Sequence, residues 1–272
     1  MKKTRLLTAF LAAALLAGAL SGCGAKKEDT RGSVAATESA REEVNPTGSV
    51  ASSAAEETKE AADTEEAEAE AEVAAEAEEE LEIGTTTSTS YTNEFFDIKL
   101  ELDDAEWYFA TEEEIAQVNA TIQEMAAQNA SDTELGDAIA GALEDGATYQ
   151  DMLVYYADGS ANMNVTIGKL TFMEAVSAKR GDFIDQMIAT GGEELTNTYE
   201  SVYGMEDVTV EAGETVFCGE TVPCMITKAK AQGMQIYMKQ VYIVKGTYNA
   251  ILTATTYLED YTDDMIALFE HV

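Results

Sequence analysis

Apart from Phe10, every Phe, Tyr and Trp of this 272-residue chain lies at or beyond Tyr91. A core of any size can therefore form only in the later part. Residues 26–83 hold 19 acidic and five basic side chains and almost no large apolar ones. Such a segment cannot bury enough surface to offset chain entropy. The block from Glu56 to Glu82 alternates Glu and Ala, both good helix formers. Yet Glu68, Glu72, Glu76 and Glu80 sit four apart, so a helix stacks like charges on one face. Residues 23–90 are therefore expected to be an acidic tether, disordered or a fluctuating helix, without packed structure. As a random coil it spans roughly 45 Å, and self-repulsion extends it further. Residues 91–272 are expected to form one domain with a real core.

Lys2, Lys3 and Arg5 precede an apolar run from Leu6 to Leu20, and Leu20-Ser21-Gly22-Cys23 follows. That is the layout of a secretory signal peptide. Its small residues before a cysteine resemble the lipobox of bacterial lipoproteins. The resemblance implies that residues 1–22 are removed and that Cys23 carries a diacylglyceryl lipid. It places the protein on the extracytoplasmic face of a bacterial membrane. The alternative is a transmembrane anchor, but the run of about 15 residues is shorter than the roughly 20 a spanning helix needs.

The net charge of −36 argues against nucleic acid, which needs clustered Lys and Arg. It argues equally against docking on anionic lipid, so the anchor is the expected membrane contact. Besides Cys23 there are Cys218 and Cys224, flanking an expected turn at Gly219-Glu220. Outside the cell they suit a disulfide if a three-residue or bulged loop brings them to one face. Otherwise they are two small buried thiols.

The coarse reading begins with an alternating strand from Phe96 to Leu102 and a short one at Trp107-Tyr108-Phe109. Thr111-Glu112-Glu113-Glu114 is a capping box opening a helix with Ile115, Val118, Ile122 and Met125 on one face. A second helix is expected over Asp132 to Glu144. Met152–Tyr156 and Asn162–Leu170 flank Asp158-Gly159, a hairpin signal. Phe172 to Thr190 reads as a helix that Gly191-Gly192 interrupts and that resumes from Glu193 to Tyr203. Four strand-like segments follow between Val208 and Thr255, with Gly219, Gly233 and Gly246 at their turns. Pro223 cannot donate to a ladder, so its segment starts late or runs along an edge there. A last helix is expected near Asp260 to His271. The pattern specifies an α+β fold: a central antiparallel sheet of about six to eight strands, ending in a meander, with helices on both faces.

Tyr91-Thr92-Asn93-Glu94-Phe95-Phe96 leading to Trp107, the Thr-Glu-Glu-Glu helix start, Tyr203-Gly204 and Phe217-Cys218-Gly219-Glu220 form a recognisable set. Tyr237 to Val244, Lys245-Gly246-Thr247-Tyr248 and Thr253-Ala254-Thr255-Thr256 before Glu259-Asp260 complete it. In these pieces the chain from Tyr91 to Val272 resembles the PsbP/Mog-like family as found in bacterial lipoproteins. That family implies a central antiparallel sheet with helices on both faces. It carries no functional residue over, because the matching positions are turns and core.

The only histidine, His271, stands beside the C-terminus, a poor place for a general base. There is no Ser-His-Asp order, no metalloprotease HExxH and no phosphate-cradling glycine loop. Carboxylates are plentiful, so a carboxylate-based hydrolase is an alternative, although acid pairs arise here by chance. Calcium takes oxygen ligands. Asp158, Asn162 and Asn164 offer them in one run, and Asp260, Asp263 and Asp264 form another cluster beside Glu259. No EF-hand spacing is present, and an Asp-Gly turn and an acidic helix start explain the same residues. Tyr155, Tyr237, Tyr242, Tyr248 and Tyr257 are core or cross-strand residues, or an exposed patch for a protein or glycan. The function expected is a non-catalytic binding or assembly module for an envelope protein or glycan, without a cofactor. The alternative is a solute- or calcium-binding lipoprotein.

Overall fold

The computed structural model describes residues 66–77, 79–103, 105–126, 148–201 and 203–272. The expected signal peptide, most of the tether and the expected helix over Asp132 to Glu144 lie outside them.

The elements in order are a helix over residues 66–76 (α1), β1 (Thr85–Thr86), β2 (Ser90–Asn93), β3 (Ile98–Glu101), β4 (Trp107–Phe109) and α2 (Glu112–Ala126). Then come β5 (Tyr149–Tyr156), β6 (Ala161–Lys169), α3 (Phe172–Lys179) and α4 (Phe183–Ser201). The meander is β7 (Glu206–Phe217), β8 (Glu220–Ala231), β9 (Met234–Lys245) and β10 (Tyr248–Tyr257), followed by α5 (Thr262–Ile266) and β11 (Phe269–Glu270). Seven strands form an antiparallel sheet in the order β4-β5-β6-β10-β9-β8-β7, and a smaller sheet runs β1-β2-β3-β11. The fold is α+β, with the expected central sheet and C-terminal meander.

Alternation along the strands divides the large sheet into two faces. Met163, Val165 and Ile167 of β6, Ala250, Leu252 and Ala254 of β10, and Val241 and Cys224 point to one side. There the small sheet lies over them, with Tyr91, Ile98, Leu100 and Phe269, together with Met265 and Ile266 of α5. Met225, Ala229 and Ile236 point to the other side, under Val176 of α3 and Ile184, Leu195 and Tyr199 of α4. Helices thus cover both faces.

Several local expectations need correction. Phe95 and Phe96 sit in the turn between β2 and β3 rather than in a strand. The Asn93 side chain accepts from the Phe96 amide at 3.0 Å, and Asp97 adopts φ 54°. Turn chemistry in the flanking residues thus overrides the strand preference of the two rings. The helix break falls at Gly181 (φ 79°), after which α4 runs unbroken through Gly191-Gly192. Gly191 faces inward on the same stripe as Ile184 and Leu195. Packing along that stripe outweighs the roughly 1 kcal/mol each glycine costs a helix. Pro223 behaves as expected: β8 pairs with β9 only from Cys224 onward, so the proline meets a local edge.

The largest correction concerns residues 66–90, expected in the tether but folded onto the domain. Val73 of α1 is completely buried and Ala69 nearly so, both in the core beneath α3 and α4. Lys179 reaches Glu72 at 2.8 Å and Glu76 at 3.0 Å, and Lys245 reaches Glu79 at 2.6 Å. Two of the four stacked glutamates that disfavour a free helix, Glu72 and Glu76, here meet a cation from the domain instead. Gly246 completes the seat: its amide donates to Glu76 Oε2 at 2.8 Å, and a Cβ would lie 2.8 Å from the Glu76 carbonyl oxygen.

Where the tether meets the domain, a buried carboxylate joins the two sheets. A bulge between Gln150 and Met152 turns Asp151 toward the small sheet. Asp151 accepts from the Gly84 amide at 2.9 Å, the Tyr91 hydroxyl at 2.7 Å and Asn93 Nδ2 at 2.8 Å. Burial nevertheless pushes its carboxyl above the usual range, against those three donors.

Two outcomes follow. Val73→Asp should release α1 while the sheet stays folded: a Glu-specific protease then cuts within residues 66–82 at rates about tenfold or more above wild type, with unchanged far-ultraviolet strand signal. For Asp151, the folded chain holds a proton that the unfolded chain has lost, so its contribution weakens as pH rises from the ordinary carboxylate range through the raised pKa. Urea midpoints of wild type and Asp151→Asn should show the wild-type advantage shrinking across that interval.

Candidate functional site

The face of the large sheet that points away from the small sheet has a polar centre. Across four strands, register aligns Leu153, Asn164, Thr253 and Gln240 in one row. Tyr155, Asn162, Thr255 and Met238 form the next row, and Gln150, Thr166 and Ile251 flank the first on its other side. Asn249 lies beyond, opposite Gly168. A Cβ on Gly168 would stand 2.8 Å from Asn249 Oδ1, so the glycine makes room for that amide. Asn162, Asn164, Thr166, Gln150, Gln240, Asn249, Thr253 and Thr255 are all buried.

Few bonds connect these groups. Gln240 Nε2 donates to Thr253 Oγ1 at 3.1 Å, Thr166 Oγ1 donates to Asn164 Oδ1 at 3.3 Å, and Asn162 Nδ2 donates to the Tyr257 hydroxyl at 3.5 Å. Gln150 Nε2 donates to the Met152 and Val165 carbonyls at 2.6 and 2.9 Å. Among the described residues, Asn162 Oδ1, Asn164 Nδ2, Thr255 Oγ1, Gln150 Oε1 and both polar atoms of Asn249 have no hydrogen-bond partner. A buried polar group left unpaired costs about 1–3 kcal/mol, and native interiors hold few of them. Six such atoms gather on three adjacent strands, while Thr148, Thr227 and Thr256 carry others outside this cluster.

No carboxylate, amine, guanidinium or imidazole belongs to these rows. The two buried charges of the sheet, Asp151 and Lys239, face the opposite side: Asp151 bonds Tyr91, and Lys239 pairs with Ala254 in register. Tyrosines flank the polar centre. Burial pushes Tyr155 up to about 12, assisted by Glu114, and burial raises Tyr257 as well, so both remain neutral hydroxyls. Exposure rises toward the β5–β6 turn. Asn164 is fully buried and Asn162 almost so, whereas Tyr155 and Tyr257 are half-buried.

The residues singled out from sequence are distributed differently. Leu20, Ser21, Gly22 and Cys23 lie outside the described residues. Cys218 and Cys224 are free thiols. The two-residue turn is Cys218-Gly219, with φ 48° and 82°, and Phe217 faces Glu220 across it. Cys224 then lies four residues along β8, about 13 Å of strand, beyond the roughly 7 Å between Cα atoms that a disulfide tolerates. Burial pushes both thiols up to about 11.

The oxygen ligands suggested for calcium are dispersed. Asp158 Oδ1 accepts from the Ser160 amide in the exposed hairpin turn at 2.8 Å, while Asn162 and Asn164 point into the buried strip. Asp260 Oδ1 caps Thr262 at 2.8 Å. Asp263 is taken by Lys239 at 2.5 Å and by Thr215 at 2.6 Å. Asp264 lines a shallow groove with Glu214 and Thr221. Among the described residues, no three of His, Cys, Asp and Glu converge on a point that would hold a metal ion. His271 Nδ1 lies 2.8 Å from Asp97 Oδ2 at the surface.

Sequence reasoning missed the strip, although its signal is present in β6. Asn162, Asn164 and Thr166 alternate with Met163, Val165 and Ile167. That pattern describes a strand with one wet face, and here the polar face is covered too. No protein-family model matches the chain, and no curated protein matches it.

Thr255→Val keeps the shape and removes an unpartnered hydroxyl. It should stabilise the unliganded protein by about 1 kcal/mol, a rise in Tm of roughly 2–4 °C for a body of this size, measured by calorimetry.

Proposed function

We propose that the protein is a lipid-anchored extracytoplasmic binding module, held on a bacterial membrane through Cys23, that captures its ligand without transforming it. The observation that carries this reading is the uncharged polar strip. Amides and hydroxyls can orient and hold a molecule. Proton transfer and nucleophilic attack need a titrating or activated group, and the tyrosines flanking the strip are held neutral by burial. The basic start, apolar run and lipobox-like Leu20-Ser21-Gly22-Cys23 support the anchor. Among the described residues, no helix is long and apolar enough to cross a membrane. The resemblance to PsbP/Mog-like lipoproteins fits the same setting. A strip of small polar side chains inside the fold suits a glycan end or a solute better than a flat protein surface does.

Docking of α1 sets how the ligand is presented. The docked part of the chain thus includes residues 66–90, which the sequence alone assigns to the tether.

Cells fed an alkyne-tagged fatty acid should yield the protein as a labelled band in the membrane fraction. Cys23→Ala should lose both the label and the sedimentation. A wild-type chain recovered unlabelled from the cytosol would end the anchored reading.

A further inference from the structure

We propose that the polar strip is a binding site for a neutral, polyhydroxylated ring, a sugar or cyclic polyol, which enters between Tyr155 and Tyr257. The inference rests on the binding reading above and gives the ligand its chemistry.

Three observations specify that chemistry. The unpartnered atoms are of both kinds. Within the width of one ring, Asn164 Nδ2 donates, Asn162 Oδ1 accepts and Thr255 Oγ1 does either; Gln150 and Asn249 lie further along the strip. A hydroxyl donates and accepts at once, so a ring of hydroxyls satisfies the mixed set. A phosphate or carboxylate offers acceptors only and would face the amide oxygens without a donor. An ammonium would strand the amide nitrogens. The second observation is charge: the rows contain no ionised group, and the buried Asp151 and Lys239 lie behind the sheet. Placing an ion there without a counter-charge costs several kcal/mol, which selects against charged ligands.

The third observation is spacing. Neighbouring strands stand about 4.8 Å apart, and residues two apart on a strand about 6.7 Å. Asn162 and Asn164 on β6 and Thr255 on β10 therefore form a patch the width of a single ring. Tyr155 and Tyr257 stand half-buried at its more exposed end, where their aromatic faces would meet the apolar C–H face of a sugar. The Asn162–Tyr257 contact, at 3.5 Å, is long enough to give way to an arriving hydroxyl.

The test uses the full chain carrying Cys23→Ala, so that no sugar-based detergent is needed. Calorimetric titration and thermal melting are run with glucose, galactose, myo-inositol and N-acetylglucosamine, and with glucuronate and glucosamine as charged counterparts. Neutral glycan oligomers separate a free solute from a glycan end: tighter binding of the oligomer assigns the glycan, equal or weaker binding the free ring. At least one neutral ring should bind saturably below about 10 mM, with its charged counterpart about tenfold weaker. Asn162→Leu and Asn164→Leu should each weaken that binding about tenfold or more, without lowering the melting temperature of the unliganded protein.

Tighter binding of the charged member would overturn the ligand class, and binding unaffected by both leucine variants would overturn the site. No saturable binding by any neutral ring would overturn the proposal as a whole. A partner then captured by cross-linking the anchored protein in cells would leave the broader binding reading standing.

Discussion

The architecture turns on one constraint: β6 and β10 lie mid-sheet with both faces covered. Nearly every residue of both strands is buried. One face meets the small sheet through aliphatic and aromatic contacts. The other is covered although its central side chains are amides and hydroxyls. The cost of the unpaired groups is carried by apolar burial elsewhere, on the first face and beneath α3 and α4. A fold built for stability alone would place Val and Leu at those positions.

Charge is handled by a few cations at specific joints. The chain has 16 basic residues against 52 acidic ones. Lys179 holds two glutamates of α1, and Lys245 holds Glu79 just beyond it. Lys239, nearly buried, fastens α5 to the sheet through Asp263. Lys239 and Thr215 hold that carboxyl below its ordinary value although partial burial works the other way. Such pairs contribute little individually where exposed. Their effect comes from position, because each cation stands where an acidic segment must touch the domain.

Legibility in the sequence followed how local the deciding physics was. The Thr111–Glu114 capping box is present, with the Thr111 hydroxyl donating to Glu114 at 2.9 Å. The meander and its glycine turns were readable because turn geometry depends on two adjacent residues. The failures involve partners distant in sequence. Residues 66–76 read as unsupported because Lys179, Lys245 and Gly246 lie more than 100 positions away. Gly191 read as a break because the sheet that packs against α4 does not appear in its own segment.

By itself, the sequence determined the class of the fold, the part of the chain able to hold a core, the face alternation of each strand, and the lipobox-like start, all of which follow from local periodicity and composition. Only the tertiary structure decided that the polar faces of β6 and β10 point inward, that α1 belongs to the domain, and that Cys218 and Cys224 stand too far apart to bridge. Alternation says that two faces differ; what covers each face is set by elements far along the chain. A polar stripe therefore reads as a wet surface until the fold closes over it.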